Sequence, residues 1–216
     1  MLIEFKDLLP RHNLNIKGIV HCGSSSGQER QAYADLGIEK VIWIEAVKEI
    51  YNELIENLKP YPFQIGVNAC LGEVDGKDVV FNVSNNEGQS SSYLQLGFHK
   101  TAHPEVSYVR HFETKTKTLQ TVLKELGVEI GDGWLLAIDT QGAEIFVLKG
   151  AGDLLNNFDA IYLETNTKEV YEGCALKPEI EEYLSKYDYE PVEEFIYEHW
   201  GWGDQLLKRN KKSNVA

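Results

Sequence analysis

Three carboxylates end apolar runs: Glu45 after Val41-Ile-Trp-Ile, Asp139 after Trp134-Leu-Leu-Ala-Ile, and Glu164 after Ala160-Ile-Tyr-Leu. In an open α/β sheet the carboxyl ends of the strands form the ligand crevice, so three such residues are expected to face one pocket. Glu45 also follows a glycine-punctuated turn, Gly23-Ser-Ser-Ser-Gly27, which itself follows the apolar stretch Gly18-Ile-Val-His-Cys22. Strand, glycine turn, helix, strand and terminal carboxylate form one half of a nucleoside-cofactor site. There the turn lets backbone approach the ligand and the acid accepts hydrogen bonds from ribose hydroxyls.

The glycine spacing bears on which cofactor. A dinucleotide site wants G-x-G-x-x-G, with backbone amides cradling a pyrophosphate. Here the central glycine is missing, which suits S-adenosylmethionine, a donor with no phosphate, better than NAD. The motif alone leaves open a methyl donor, a dinucleotide or a structural turn. Methyl transfer from a sulfonium is an in-line displacement, and a sugar or other alkyl hydroxyl as nucleophile calls for a general base. Asp139 and Glu164 are the first candidates, and His99 follows, ahead of His103 and His199. His99 and His103 are four apart, but Pro104 interrupts a helix there, so no metal site is expected.

The elements that must position these groups alternate in type, which favours a parallel sheet flanked by helices. A short leading helix near Glu4–Leu9 precedes a strand at Gly18–Cys22. A helix running from the serines buries Ala32, Tyr33 and Leu36 and ends at Gly37. A strand at Val41–Glu45 precedes a helix with Val47, Ile50, Leu54 and Leu58 in register, stopped by Pro60. Phe63–Leu71 reads as the third strand. From Asp75 to Thr118 the alternation breaks into strands at Val79–Val83 and Phe112–Thr118 around the polar run Ser84–Ser92. This block reads as a lid inserted on the substrate side between strands three and four.

Leu119, Val122, Leu123 and Leu126 then mark a helix closed by Gly127. The alternation resumes with a strand at Trp134–Asp139, a helix at Ala143–Leu148 ended by Gly150, and a strand at Ala160–Glu164. A helix opens at Pro178, and Tyr189–Tyr197 with Asp204–Lys208 forms a terminal antiparallel hairpin. One domain over residues 1–216 is expected.

Lys plus Arg is 21 and Asp plus Glu is 34, a net charge of −13. Such a surface repels nucleic acid and anionic membrane. The one basic cluster, Lys208-Arg-Asn-Lys-Lys212, reads as a solvated end. Three cysteines without C-x-x-C spacing point away from disulfides and zinc and toward a reducing, cytoplasmic setting. The charged first residues do not make a signal peptide, and no window reaches the roughly 18 apolar residues of a membrane span.

Taken together, Val20-His-Cys-Gly-Ser-Ser-Ser-Gly-Gln28, Ile44-Glu-Ala46, Gly88-Gln-Ser-Ser-Ser92, Leu136-Ala-Ile-Asp-Thr-Gln-Gly-Ala-Glu144, Val147-Leu-Lys-Gly-Ala151, Val170-Tyr-Glu-Gly-Cys174 and Gly201-Trp-Gly-Asp204 resemble the FkbM-type methyltransferases. The resemblance runs from about residue 17 to 209. It implies a Rossmann-like class I methyltransferase fold: an α/β, mostly parallel seven-stranded sheet with an antiparallel C-terminal strand. It also implies S-adenosylmethionine as cofactor and O-methylation of a sugar, glycan or glycosylated metabolite.

By resemblance Gly23, Ser24 and Gln28, adjoined by Ser25, line the methionine end of the cofactor. Glu45 and Ala46 hold the ribose side, Ala69 and Cys70 lie near adenine, and Asp139 closes the pocket near the sulfonium and acceptor. Ser91, Ser92, Gln141 and Asn166 are the expected substrate contacts. The chain departs from the family at His21, where the strand usually ends in an acidic residue near the cofactor's amino group. A nicotinamide oxidoreductase and a non-catalytic binding module are the rival readings, with an RNA methyltransferase behind them.

Overall fold

A computed structural model describes residues 3–210. Met1 and Leu2 of the leading stretch, and Lys211 and Lys212 of the basic tail, lie outside the described residues. A seven-stranded sheet is built from β1 (Gly18–Cys22), β2 (Lys40–Glu45), β3 (Gln64–Asn68), β7 (Trp134–Ile138), β8 (Ala160–Asn166), β9 (Tyr189–Tyr197) and β10 (Trp202–Arg209). Its order is β3-β2-β1-β7-β8-β10-β9. The first five are mutually parallel, while β10 runs antiparallel to both β8 and β9. The chain grows from β1 outward in one direction, then returns to β7 beside β1 and grows in the other. The crevice at the carboxyl ends of β1 and β7 is therefore the switch point of the sheet.

The alternation of strand residues explains the two cores. Ile19, Val41, Trp43, Leu135, Ala137 and Tyr162 point to one face, where α1 (Phe5–Arg11), α2 (Arg30–Asp35) and α3 (Lys48–Leu58) cover them. Val20, Ile42, Leu136, Ile138, Ile161 and Leu163 point to the other, under α5 (Leu119–Leu126), α6 (Glu144–Ala151) and α7 (Lys177–Ser185). Thr118 caps α5 by accepting from the Thr121 amide, and Gly127 closes it in the left-handed region at φ +65.

Between β3 and β7 a second sheet intervenes, made of β4 (Cys70–Leu71), β5 (Asp78–Ser84) and β6 (Tyr108–Lys117) in the order β4-β6-β5. A four-residue helix, α4 (His99–Ala102), lies in the loop between β5 and β6. The expected third strand is thus two strands: β3 stays in the main sheet while β4, after Ala69, starts the insertion. The insertion opens at Cys70 rather than Asp75.

Two other expectations need correction. The serine run does not start a helix, because Ser25 to Glu29 form turns and α2 begins at Arg30, leaving Tyr33 as its one fully buried residue and Ala32 exposed. Nor does Gly150 end α6. It lies inside the helix, where a Cβ would come 2.2 Å from the Gly72 carbonyl oxygen, so its role is close packing against the start of the insertion. The helix ends at Gly152, with φ +52. No helix among the described residues is long and apolar enough to cross a membrane.

Candidate active site at the sheet switch point

A cleft of about 470 Å³ opens over the carboxyl ends of β1, β2, β7 and β8 and under the inserted sheet. Its floor begins at Gly23. The Gly23 and Ser24 amides donate to the Ile44 carbonyl at 2.9 and 3.1 Å, folding the turn back over β2. Gly23 has φ +76, and a Cβ there would sit 1.8 Å from the Asp139 carbonyl oxygen. Only glycine lets the turn and the β7 end approach this closely. Gly27, at φ +73, presses on Leu54 in the same way.

Glu45 is buried at the end of β2, and its carboxylate accepts from the Val47 amide at 2.7 Å and the Ser25 amide at 3.0 Å. Burial raises its pKa, and the amide hydrogen bonds oppose that shift. A carboxylate has about four acceptor positions, so two remain for ligand hydroxyls. Ser24 lines the cleft, yet its buried hydroxyl has no hydrogen-bond partner. An unsatisfied buried hydroxyl at a ligand-binding turn is a fit for the polar end of a nucleoside-linked amino acid. Ser25, Gln28, Ala46, Ala69 and Cys70 complete this side of the cleft.

His21 reaches the cleft from β1, on the sheet face it shares with Ile19 and Trp43. Its ring stacks on Trp43 at 5.1 Å, and its Nδ1 lies 3.1 Å from the Tyr33 hydroxyl. Burial pushes its pKa down to about 4, so it is a neutral imidazole at physiological pH.

The run Asp139–Glu144 is one folded unit. Glu144 accepts from the Thr140 amide at 2.9 Å, the Thr140 hydroxyl at 3.2 Å and the Gly142 amide at 3.1 Å. That clamp holds Gln141 at φ +55, a strained position for a side chain of its size. From there Gln141 Nε2 donates to Asp139 at 2.6 Å and to Glu164 at 3.1 Å, while its Oε1 accepts from the Tyr171 hydroxyl at 2.5 Å. Burial raises all three acids: Asp139 to about 6, Glu144 to about 7, and Glu164 well above the carboxylate range, with Asp139 beside it adding to the shift. At neutral pH Asp139 is therefore mainly a proton acceptor, and Glu164 holds its proton more tightly than an ordinary carboxyl.

Opposite stands the inserted layer. His99 Nε2 lies 3.1 Å from the Ser90 hydroxyl, its ring contacts His103 and Tyr171 at 5.0 and 5.6 Å, and its buried Nδ1 has no partner. Burial lowers its pKa. The cleft gathers all the sequence-predicted residues except Ser92, Asn166 and His199, the last exposed in the turn between β9 and β10. Ser92 is buried behind the wall, exchanging backbone hydrogen bonds with Asn82, and its hydroxyl accepts from the Leu94 amide. Asn166 is fully buried and is not on the cleft wall. Both expectations are corrected, since neither side chain lies on the cleft wall. Sequence reasoning missed Glu144, Tyr171, Trp202 and Asp204 as parts of the site. Each stood in a family-like segment, but only the fold brings those segments together. No group of three or more His, Cys, Asp or Glu among the described residues is arranged to hold a metal.

A family model described as the methyltransferase FkbM domain matches residues 21–191. A 2-O-methyltransferase, NoeI, of Sinorhizobium fredii (strain NBRC 101917 / NGR234) is 29% identical over 128 residues, which cover 55% of this chain and 50% of that protein. The match thus spans about half the length of the curated relative. Among solved structures, TrmK of M. capricolum in complex with S-adenosyl-homocysteine aligns with a TM-score of 0.53 at 11% identity, covering 100% of this chain and 73% of the other. A protein of the NADB-Rossmann superfamily from Streptococcus agalactiae aligns with a TM-score of 0.53 at 12% identity, covering 99% and 71%. The sheet, its order and its switch-point cleft are those of a Rossmann-like α/β fold.

Proposed function

Because this chain belongs to the FkbM methyltransferase family, we propose that it is an S-adenosylmethionine-dependent O-methyltransferase whose acceptor is a hydroxyl of a sugar, a glycan or a glycosylated metabolite. The observation that carries the reading is Asp139. It sits against the Gly23 turn on one side and is joined through Gln141 to Glu164 and Tyr171 on the other.

S-adenosylmethionine, when bound, supplies a methyl group on a sulfonium, an electrophile that needs an aligned nucleophile. Glu45 would hold the ribose hydroxyls. Gly23, Ser24, Ser25 and Gln28 would hold the methionine end, above the neutral His21. Ala46, Ala69 and Cys70 would flank the adenine. Asp139, with a pKa near 6, accepts the acceptor's proton, while Glu164, whose proton burial and the neighbouring acids hold more tightly, can donate to a sugar oxygen and so orient it. His99, held neutral by burial, is the second proton acceptor. Ser91 and Gln141 line the acceptor side. The inserted layer acts as the lid that keeps water from the reacting centre. Three unpaired, buried thiols agree with a reducing, cytoplasmic setting.

Calorimetric titration with S-adenosylmethionine, S-adenosylhomocysteine and NAD tests the reading. Micromolar binding of the first two without NAD is the expected result. Glu45→Gln is expected to weaken both by about tenfold to a hundredfold, the value of hydrogen bonds to a charged acceptor. Selective binding of NAD would return the chain to the oxidoreductases. No binding of any of the three would favour a non-catalytic module.

A further inference from the structure

The sheet face that carries Glu164 does not stop at the cleft. In the β8–β10–β9 ladder Glu164 pairs with Asp204, which pairs with Phe195, and one rung on Asn166 pairs with Trp202, which pairs with Tyr197. Directly paired residues share a face. Asp204 and Trp202 therefore lead from the cleft wall, which both line, to Tyr197 and Phe195 on the edge strand.

The rings along this path touch one another. Trp202 lies 5.3 Å from Tyr197, Tyr197 lies 5.0 Å from Phe195 edge to face, and Trp200 stacks parallel to Trp202 at 6.3 Å. Trp200 also contacts His103, a cleft residue of the lid, at 5.3 Å. The three inner rings are half-buried and Phe195 is 46% exposed. A soluble chain leaves such a row of rings open at the mouth of a cleft when a ligand covers it.

We propose that Trp202, Trp200, Tyr197 and Phe195 form an acceptor subsite that stacks the saccharide units flanking the one methylated, so that the acceptor is a neutral oligosaccharide or glycan chain and not a free monosaccharide. This rests on the reading that the acceptor is a carbohydrate. Flat rings match the apolar C–H faces of pyranoses and bind them at little conformational cost. Asp204, in the same row, can accept from sugar hydroxyls, as the few polar groups of a ligand cleft do. Charge excludes the other ligand with stacking faces: at a net −13 the chain repels nucleic acid and anionic glycans.

The test probes an immobilised panel of neutral mono- to hexasaccharides with the full chain in the presence of S-adenosylhomocysteine. Retention is expected to rise from mono- to oligosaccharide. Phe195→Ala and Trp200→Ala are each expected to lower it about tenfold while S-adenosylhomocysteine affinity, read by calorimetry, stays unchanged. Phe195 is exposed enough that its replacement leaves the fold intact. The subsite is overturned by equal retention of mono- and oligosaccharides, by retention indifferent to Phe195→Ala, by binding of aromatic or acyl groups only, or by a dimer that Phe195→Ala dissociates. Loss of S-adenosylhomocysteine binding in the wild type would instead overturn the methyltransferase reading. Intact cofactor binding with no oligosaccharide retained would sink the subsite alone.

Discussion

Asp139 and Glu164 share one donor, the Gln141 amide, yet they hold their protons differently, and the division of labour at the site depends on that difference. Burial and Asp204 raise both, but Glu164 also feels Asp139 and Glu144. If Asp139 is the base, methyl transfer to a neutral oligosaccharide should fall as pH drops through about 6, where its carboxylate takes up a proton. Asp139→Asn should remove most turnover, by about a hundredfold or more, the usual range for a positioned base. Gln141→Ala removes a hydrogen bond that favours the Asp139 carboxylate, so the acid limb of the pH profile should move upward. A profile unmoved by Gln141→Ala, with Asp139→Asn still active and His99→Gln inactive, would transfer the base to His99. Much of this site could be read in the sequence, because strand-ending acids are local features: Glu45, Asp139 and Glu164 each close an apolar run. The clamp could not. Glu144 reads as an ordinary first-turn acid of a helix, and Tyr171 lies 30 residues from the Gln141 it donates to.

At the scale of elements, glycines carried the ambiguity. Gly127 ends its helix as the sequence pattern predicts, in the left-handed region, whereas Gly150 looks the same in sequence and does something else. By intrinsic propensity Gly150→Ala should favour α6 by about 1 kcal/mol. The Gly72 carbonyl, 2.2 Å from the would-be Cβ, predicts the opposite. The helix would be wedged off the start of the insertion, with Tm falling by several degrees and S-adenosylhomocysteine affinity falling with it, since Cys70 and Leu71 line the cleft just before that joint. A melting scan and a titration of the variant decide it, and a rise in Tm would show that packing yields there. The split of Phe63–Leu71 into β3 and β4 was hidden for a related reason. Both pieces are apolar and extended, and only non-local pairing, of β3 with β2 and of β4 with β6, assigns them to different sheets.

Across the whole molecule the buried acids and histidines set opposing limits on stability. Asp139, Glu144 and Glu164 bind protons more tightly in the folded chain than in the unfolded one. Their contribution is complete below about 4, where the unfolded carboxyls are also protonated, and is lost as pH rises from there through the folded values, about 6 for Asp139 and about 7 for Glu144. His21 and His99 have folded pKa values below that of free histidine, so what they contribute is present above about 6.5 and is lost as pH falls toward 4. The excess of acids over bases adds self-repulsion on the alkaline side. Thermal stability of the ligand-free protein should therefore fall between about pH 5 and pH 8 as the buried acids ionise, with the histidines only partly offsetting the loss below 6.5. Glu144→Gln separates the contributions. The amide oxygen still accepts from the Thr140 and Gly142 amides, but no buried charge forms at high pH. The variant should melt about 5 °C above the wild type at pH 8 and level with it only below about pH 4.5, where the carboxyl is protonated in the folded and the unfolded chain alike. A wild-type Tm that climbs steadily to pH 8 would mean that these carboxyls ionise in the fold without cost, and Glu164 would then be a second base beside Asp139 instead of the proton donor that orients the acceptor.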